Sequence, residues 1–204
     1  MKKFAMVVLL AVLLCTLGGC KKEAESPIVS AKMIFRPAEL SQKETKIMRL
    51  LEDNNDAAIF DFVLNEQVQS VEITHHVRED GEWMEITDAV ALDLPKGRIA
   101  FVGNPENQQF MTSVQTESGQ TSVTTTRKQD ERFKEMGHGR TSLNHEVKVE
   151  YGKEIPVMFD LRTSKDEISF VFSEDLEELK ALYQDADYEQ LNIVTVKFGT
   201  EKLS

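Results

Sequence analysis

The stretch Val71–Ile86, VEITHHVREDGEWMEI, decides what kind of fold this chain adopts. In its first seven residues a valine, isoleucine or histidine occupies every second position, which is the spacing of one face of a β-strand. The dipeptide Asp80-Gly81 then favours a tight hairpin turn, and Glu82–Ile86 continues as a second strand. The stretch therefore predicts two antiparallel strands joined by a short turn.

The same period of two continues on both sides of this hairpin. Ser118-Gly119 marks another hairpin turn. Strands that recur at such short spacing are typical of antiparallel sheets and sandwiches. We therefore predict a mostly β protein of the α+β class, an antiparallel sandwich or sheet with two short helices. The further strands are predicted at 58–64, 98–102, 109–116, 121–127, 147–151, 155–161, 168–172 and 191–198.

Three segments depart from the strand pattern. Ser41 and Glu44 form a capping box that begins an amphipathic helix, and the polar run Asp53–Asp56 ends this helix. A second helix begins near Asp175, where neighbouring acidic residues suit the positive end of the helix dipole. Lys128–Asn144 contains few apolar residues and has two glycines, so we predict a long exposed connection there.

The N-terminal residues have a different character from the rest of the chain. Two lysines precede the unbroken apolar run Phe4–Leu14, and a polar stretch follows shortly afterwards. This order is typical of a secretory signal, and the run is too short to span a bilayer, which takes ~20 apolar residues. The sequence Leu17-Gly18-Gly19-Cys20 at its end resembles the lipobox of bacterial lipoproteins.

The lipobox resemblance implies a lipid anchor on Cys20. It implies that the Cys20 thiol receives a diacylglyceryl group and that residues 1–19 are removed as a signal peptide, together with Cys15. Two acyl chains suffice for stable anchoring, because each buried methylene contributes about 0.8 kcal/mol. We then expect residues 20–30 to be a tether and residues 31–204 a single strand-rich domain. The expected location is the extracytoplasmic face of a bacterial cell membrane.

The charge of the chain limits its partners. The 204 residues carry a formal net charge of −11, and loss of residues 1–19 would remove two lysines and no acid, which gives −13. An acidic chain is repelled by phosphate backbones, so we expect no nucleic-acid partner. The expected partners are the membrane, reached through the lipid on Cys20, and an unknown protein or component of the cell envelope.

Residue patterns for metal or catalytic chemistry are weak. His75 and His76 are adjacent, so a regular strand points them to opposite faces. The spacing of His138 and His145 fits no zinc motif, and the alternating acids of Asp185–Glu189 lack the glycine that an EF-hand loop needs. The chain contains neither a nucleophile elbow nor a glycine-rich phosphate loop. We therefore predict no catalytic, cofactor-binding or metal site, and no cofactor.

The chain resembles a group of lipobox-bearing lipoproteins of Gram-positive bacteria that carries no assigned activity. The likeness lies in the capped helix with its Asn-Asn-Asp turn, in VEI at 71–73, in the Asp-Gly-Glu-Trp hairpin at 80–83 and in four longer stretches. These are IFDF at 59–62, GRIAF at 97–101, EIPVMFDL at 154–161 and DYEQLNIVTVKF at 187–198. The likeness lies in the pattern of strands and turns rather than in a catalytic motif. It implies a surface lipoprotein with a strand-rich domain.

Two functions remain open at the level of the sequence. The first is a non-catalytic binding or interaction module, of unknown ligand, displayed on the outer face of the membrane. The alternative is a hydrolase directed at the cell wall, whose carboxylates would converge only in the fold. A cleft with two carboxyl groups of unequal pKa would favour the hydrolase.

Overall fold

A computed structural model describes residues 32–51, 56–93, 95–104, 109–126, 131–133 and 135–203. The strands of the described residues are numbered in chain order, and the two α-helices likewise. The strands are β1 (Ile34–Pro37), β2 (Asp56–Val63), β3 (Ser70–Glu79), β4 (Glu82–Ala91), β5 (Lys96–Asn104), β6 (Gln109–Thr116), β7 (Gln120–Thr126), β8 (Gly137–Ser142), β9 (Val147–Lys148), β10 (Glu154–Thr163) and β11 (Gln190–Gly199). The helices are α1 (Gln42–Leu51) and α2 (Leu176–Gln184), with a short 3-10 helix at Glu131–Phe133.

The strands form two antiparallel sheets. Sheet A has the order β7-β6-β5-β2-β1-β9, and sheet B has the order β4-β3-β11-β10-β8. All strand pairings in both sheets are antiparallel. The predicted fold class is confirmed: the protein is mostly β, an antiparallel sandwich with two short helices.

The hairpin predicted from Val71–Ile86 is present as β3 and β4. The two strands pair in continuous register from Ser70↔Ala91 to Glu79↔Glu82. Asp80 and Gly81 join them with φ values of 52° and 87°. Positive φ at both central residues is the requirement of a type I′ turn, whose twist matches that of the flanking strands. The Asp-Gly signal therefore has the conformation that the sequence predicts.

The main core lies between the two sheets and is rich in phenylalanine. Phe35 of β1 stacks on Phe60 of β2 at 4.9 Å, and Phe198 of sheet B packs 5.9 Å from Phe35 and 5.9 Å from Phe62. These rings are fully buried, and each contributes about 1.5–3 kcal/mol through loss of apolar surface to water. The short strand β1 was not predicted, because only Phe35 of its residues points into the core.

A second core lies on the other face of sheet B, beneath α2. Leu176, Leu179 and Tyr183 of the helix pack with Phe159 and Ile193 of the sheet. The helix begins as predicted, since the Asp175 side chain accepts a hydrogen bond from the Glu178 amide. Because this helix covers the sheet, β10 and β11 are buried on both faces, which explains their long apolar runs.

The capping box of α1 is also confirmed. The Ser41 amide donates to Glu44 Oε2 at 2.7 Å, and the Glu44 amide donates to Ser41 Oγ at 3.3 Å. The turn predicted to end this helix falls largely on residues 52–55, which lie outside the described residues.

Two predictions about the second half of the chain are wrong. Residues 168–172 are not a strand; they pass over sheet B, with the backbone of Val171 hydrogen-bonded to the Tyr183 hydroxyl in both directions. The predicted exposed connection Lys128–Asn144 instead contains β8, which pairs with β10. Phe133 and Leu143 within it are buried.

The sequence concealed β8 because neither of its faces is apolar. One face carries polar side chains that point between the sheets. The other face carries Gly137 and Gly139. The apolar side chains that cover these glycines come from a different segment, residues 168–170. A side-chain carbon at Gly139 would lie 2.5 Å from the ring of Phe170, so the ring lies directly on the backbone. The usual alternation of apolar residues is therefore missing from a properly paired strand.

Candidate functional site

One end of the space between the sheets is polar. Asp160 of β10 lies between Arg140 of β8 and Asn192 of β11 in the register of sheet B. His138 precedes Arg140 by two positions and lies on the same face of β8. These four residues, His138, Arg140, Asp160 and Asn192, are called the Asp160 cluster below. Adjacent strands and alternating side chains bring the four together, although they lie far apart in the sequence.

The Asp160 carboxylate is the centre of this cluster. Arg140 Nε donates to Asp160 Oδ1, Asn192 Nδ2 donates to Oδ2 at 3.1 Å, and His138 Nε2 lies 3.6 Å from Oδ1. Burial alone would raise the pKa of Asp160. The interaction with His138 and the charge and hydrogen bond of Arg140 outweigh burial and hold the pKa below its ordinary value. The buried carboxylate is therefore ionised at neutral pH.

Arg140 also contacts sheet A. A side-chain carbon at Gly103 of β5 would lie 2.6 Å from Arg140 Nη2, so the absence of a side chain there leaves room for the guanidinium. Within the described part of the chain, Asn192 Oδ1 has no hydrogen-bond partner. Hydrogen bonding in the cluster is thus incomplete, and its stability depends mainly on the charge pairs at Asp160.

A second polar group lies on the outer face of sheet B, beside α2. His76 is buried, with Nδ1 2.9 Å from Glu85 Oε1 and Nε2 3.2 Å from both Glu154 Oε1 and Thr195 Oγ1. Lys180 of α2 donates to Glu85 Oε1 at 3.1 Å, and this bond is the largest influence that lowers the pKa of Glu85. The group links β3, β4, β10, β11 and α2 around one imidazole.

The four histidines occupy separate environments. His75 points between the sheets and packs on Phe110 at 4.9 Å, so His75 and His76 face opposite sides of β3 as predicted. His138 belongs to the Asp160 cluster, and the exposed His145 lies 2.6 Å from Glu174. Among the described residues, no three His, Cys, Asp or Glu side chains are grouped as a metal site would require.

Two depressions on the surface of the sandwich are lined by described residues. The larger, of about 650 Å³, is lined in part by Val68, Leu92 and the acidic residue Asp93. Asp93 already accepts a hydrogen bond from Thr116 Oγ1 at 2.9 Å. The smaller, of about 560 Å³, lies on the outer face of sheet A around Arg98. Arg98 donates to Asp61 Oδ1 at 2.7 Å, so one charged group of each depression is already engaged within the fold.

The carboxyl groups show one consistent electrostatic feature. In the described part of the chain, every carboxyl whose pKa departs clearly from its ordinary value has a lowered pKa. For Glu44 it is about 2, because Ser41 donates hydrogen bonds to the carboxylate and Arg98 adds a further one. Such groups are ionised at neutral pH and are poor general acids. The five are Glu44, Glu85, Glu146, Asp160 and Glu189.

Comparison with known families identifies the sandwich as a recognised domain. The model of the YgaN domain matches residues 34–198, which is most of the chain. The chain belongs to the YgaN domain family. The match begins at β1 and ends in β11, so the YgaN domain corresponds to both sheets together. No curated protein sequence and no solved structure matches the chain.

The one site residue predicted from the sequence, Cys20, lies outside the described residues. Within those residues, no helix has the length and apolar character needed to cross a membrane. The Asp160 cluster was not predicted. Its signal in the sequence is an aspartate and an asparagine within two largely apolar strands, EIPVMFDL and QLNIVTVKF. A polar residue in such a run indicates a buried partner, but it does not identify that partner.

Proposed function

We propose that this protein is a membrane-anchored extracytoplasmic lipoprotein whose YgaN domain is a non-catalytic interaction module. The anchor rests on the sequence Leu17-Gly18-Gly19-Cys20, which directly follows a positive start and a short apolar run. Acylation of Cys20 would attach the chain to the outer leaflet, and the polar residues 21–30 would separate the sandwich from the lipid.

The observation that supports an interaction module is the engagement of the two carboxylates beside buried groups, Asp160 and Glu85, within the fold. Asp160 is paired with Arg140, and Glu85 with Lys180 and His76. A cell-wall hydrolase of the usual kind needs one carboxyl that keeps its proton at neutral pH beside a second that is ionised. The lowered carboxyl pKa values favour the interaction module over this alternative.

The anchor is tested by metabolic labelling with a palmitate analogue. Cys20→Ser should abolish labelling and block normal processing of the signal peptide, whereas the matched variant Cys15→Ser should label like the unchanged chain. Acyl label on the Cys20→Ser protein would contradict the assignment of the anchor.

The absence of catalysis is tested separately with purified cell-wall material. Incubation with the protein should release no soluble fragments over hours, and Asp160→Asn should behave like the unchanged chain. Fragment release by the unchanged chain would favour the hydrolase. A pull-down from membranes with the acylated protein as bait then identifies the class of its partner.

A further inference from the structure

The two sheets have four edge strands, and three of them carry features that oppose pairing with another chain. Strand β9 has only two residues, and β4 carries Glu82, Glu85 and Asp88. Strand β8 contains two glycines and the inward-pointing charge of Arg140. Short length, charged side chains and inward charges are the usual means by which proteins protect sheet edges.

The fourth edge, β7, has none of these protections. Its sequence QTSVTTT contains no charged residue, proline or glycine, and it consists mostly of residues that favour strands. It pairs with β6 in unbroken register from Gln109↔Thr126 to Gln115↔Gln120. No described strand pairs with its other side, and five of its seven side chains are exposed. An uncharged and exposed edge of this kind, with no break in its register, is a template for a further strand.

The charges around β7 indicate what pairs with it. A net charge of −11 makes two copies of this chain repel each other over most of their surfaces. The run from Ser118 to Thr126 is uncharged, so two copies can approach there. Glu117 precedes the strand, and Arg127 and Lys128 follow it in the sequence. Antiparallel pairing of two identical strands places the two Glu117 residues at opposite ends of the pair, whereas parallel pairing brings these like charges together.

We infer that β7 pairs antiparallel with β7 of a second copy of this chain, about a two-fold axis, and joins the two A sheets into one. The exposed Thr and Ser side chains then meet across the new pair, an arrangement that stabilises neighbouring strands. Backbone hydrogen bonds replace hydrogen bonds to water and association costs entropy, so a single strand pair makes a weak dimer, with a Kd of about 1 μM or weaker. The pairing does not require the lipid anchor, although confinement to a membrane would raise the local concentration.

Disulfide cross-linking of the full chain in membranes tests this inference. Single cysteines replace the exposed residues Gln120, Ser122, Thr124 and Thr126 in turn, in a chain that carries Cys15→Ser. Ala89→Cys, exposed on the edge strand β4, is the matched control. Mild oxidation should give a covalent dimer of twice the chain mass, strongest at the position nearest the two-fold axis and weaker on either side. The Ala89→Cys chain should stay monomeric.

A charge on the edge provides the second measurement. Thr124→Lys should lower cross-linking through Ser122→Cys about tenfold, because two lysines then face each other near the axis. Ala89→Lys should leave cross-linking unchanged, and equal melting temperatures should show that both variants fold. Three results would each overturn the inference: equal cross-linking on β4 and β7, no effect of Thr124→Lys, or a β7 adduct with a different protein.

The parent chain with Cys15→Ser and no added cysteine separates this inference from the proposed anchor. If Cys20 is acylated, the parent has no free thiol and forms no disulfide. A parent dimer linked through Cys20 would contradict the acylation of Cys20 but not the pairing of β7. The single-cysteine variants of β7 would then be compared in a chain that also carries Cys20→Ser.

Discussion

Replacing Asp160 with asparagine tests whether the Asp160 cluster stabilises the sandwich. The change keeps the size of the side chain and removes its charge. The Arg140 guanidinium, which contacts both sheets, then loses its buried carboxylate partner in β10. His138 loses the same negative charge at 3.6 Å. We expect a large loss of stability without a change of fold.

The size of this loss follows from burial. Breaking a buried ion pair by changing one partner costs about 3–5 kcal/mol, whereas an exposed pair contributes about 0–1 kcal/mol. The side chains of Arg140 and Asp160 are 14% and 8% exposed, against 28% and 27% for Arg98 and Asp61 on the outer face of sheet A. Asparagine keeps one acceptor, so we expect the lower value, about 3 kcal/mol. A domain of this size loses about 2–4 °C per kcal/mol, so the Tm should fall by about 6–12 °C.

The assay is thermal unfolding of the chain from residue 31 onward, followed by circular dichroism at several pH values. Asp61→Asn is the matched control and should lower the Tm by no more than about 4 °C at pH 7. The folded-state pKa of Asp160 is below its unfolded value of about 3.9. Its ionisation therefore stabilises the fold above that unfolded value, and the stabilisation is lost as the pH falls towards the folded-state pKa. The difference between the unchanged chain and Asp160→Asn should be full at pH 7 and shrink below about pH 4.

Two results would refute this reasoning. One is a fall in Tm no larger than that of Asp61→Asn. The other is a difference from the unchanged chain that stays constant as the pH is lowered. Adding Arg140→Met to Asp160→Asn gives an independent check, because it removes the arginine charge and should recover part of the lost stability.

Three further changes test other parts of the fold. Gly103→Ala should lower the free energy of unfolding in urea by about 1–3 kcal/mol, because the new methyl group would displace Arg140. Gly119→Ala is the control and should be neutral, since open space surrounds Gly119. Equal effects of the two changes would contradict the close contact between Gly103 and Arg140. Asp175→Ala should cost about 1 kcal/mol through loss of the α2 cap, and an unchanged urea midpoint would show that this cap is dispensable. In hydrogen exchange, the paired amides of Gly137–Ser142 should exchange as slowly as those of the central strands, and exchange as fast as in a loop would count against β8.

Local sequence signals determined much of the fold. The Asp80-Gly81 turn, the capping box at Ser41 and the cap at Asp175 depend on the preferences of a few neighbouring residues. The alternation of apolar residues in β3 and the apolar runs of β10 and β11 indicate strands wherever a segment supplies its own buried face. These features sufficed to predict a mostly β antiparallel protein with two short helices.

Features that depend on contacts between distant segments required the tertiary structure. Strand β8 is hidden in the sequence because Phe170 covers Gly139 and Arg140 is neutralised by Asp160, twenty residues later in the chain. Residues 168–172 alternate like a strand, yet they do not pair with one. The Phe170 ring packs on Phe159 of β10, and the Val171 amide donates to the Tyr183 hydroxyl. The identity of the unprotected edge strand also depends on strand order. The periodicity of apolar residues carries no information about strand order. Periodicity reports only which faces of a segment are apolar, whereas the partner of each face is decided by the packing of the whole chain.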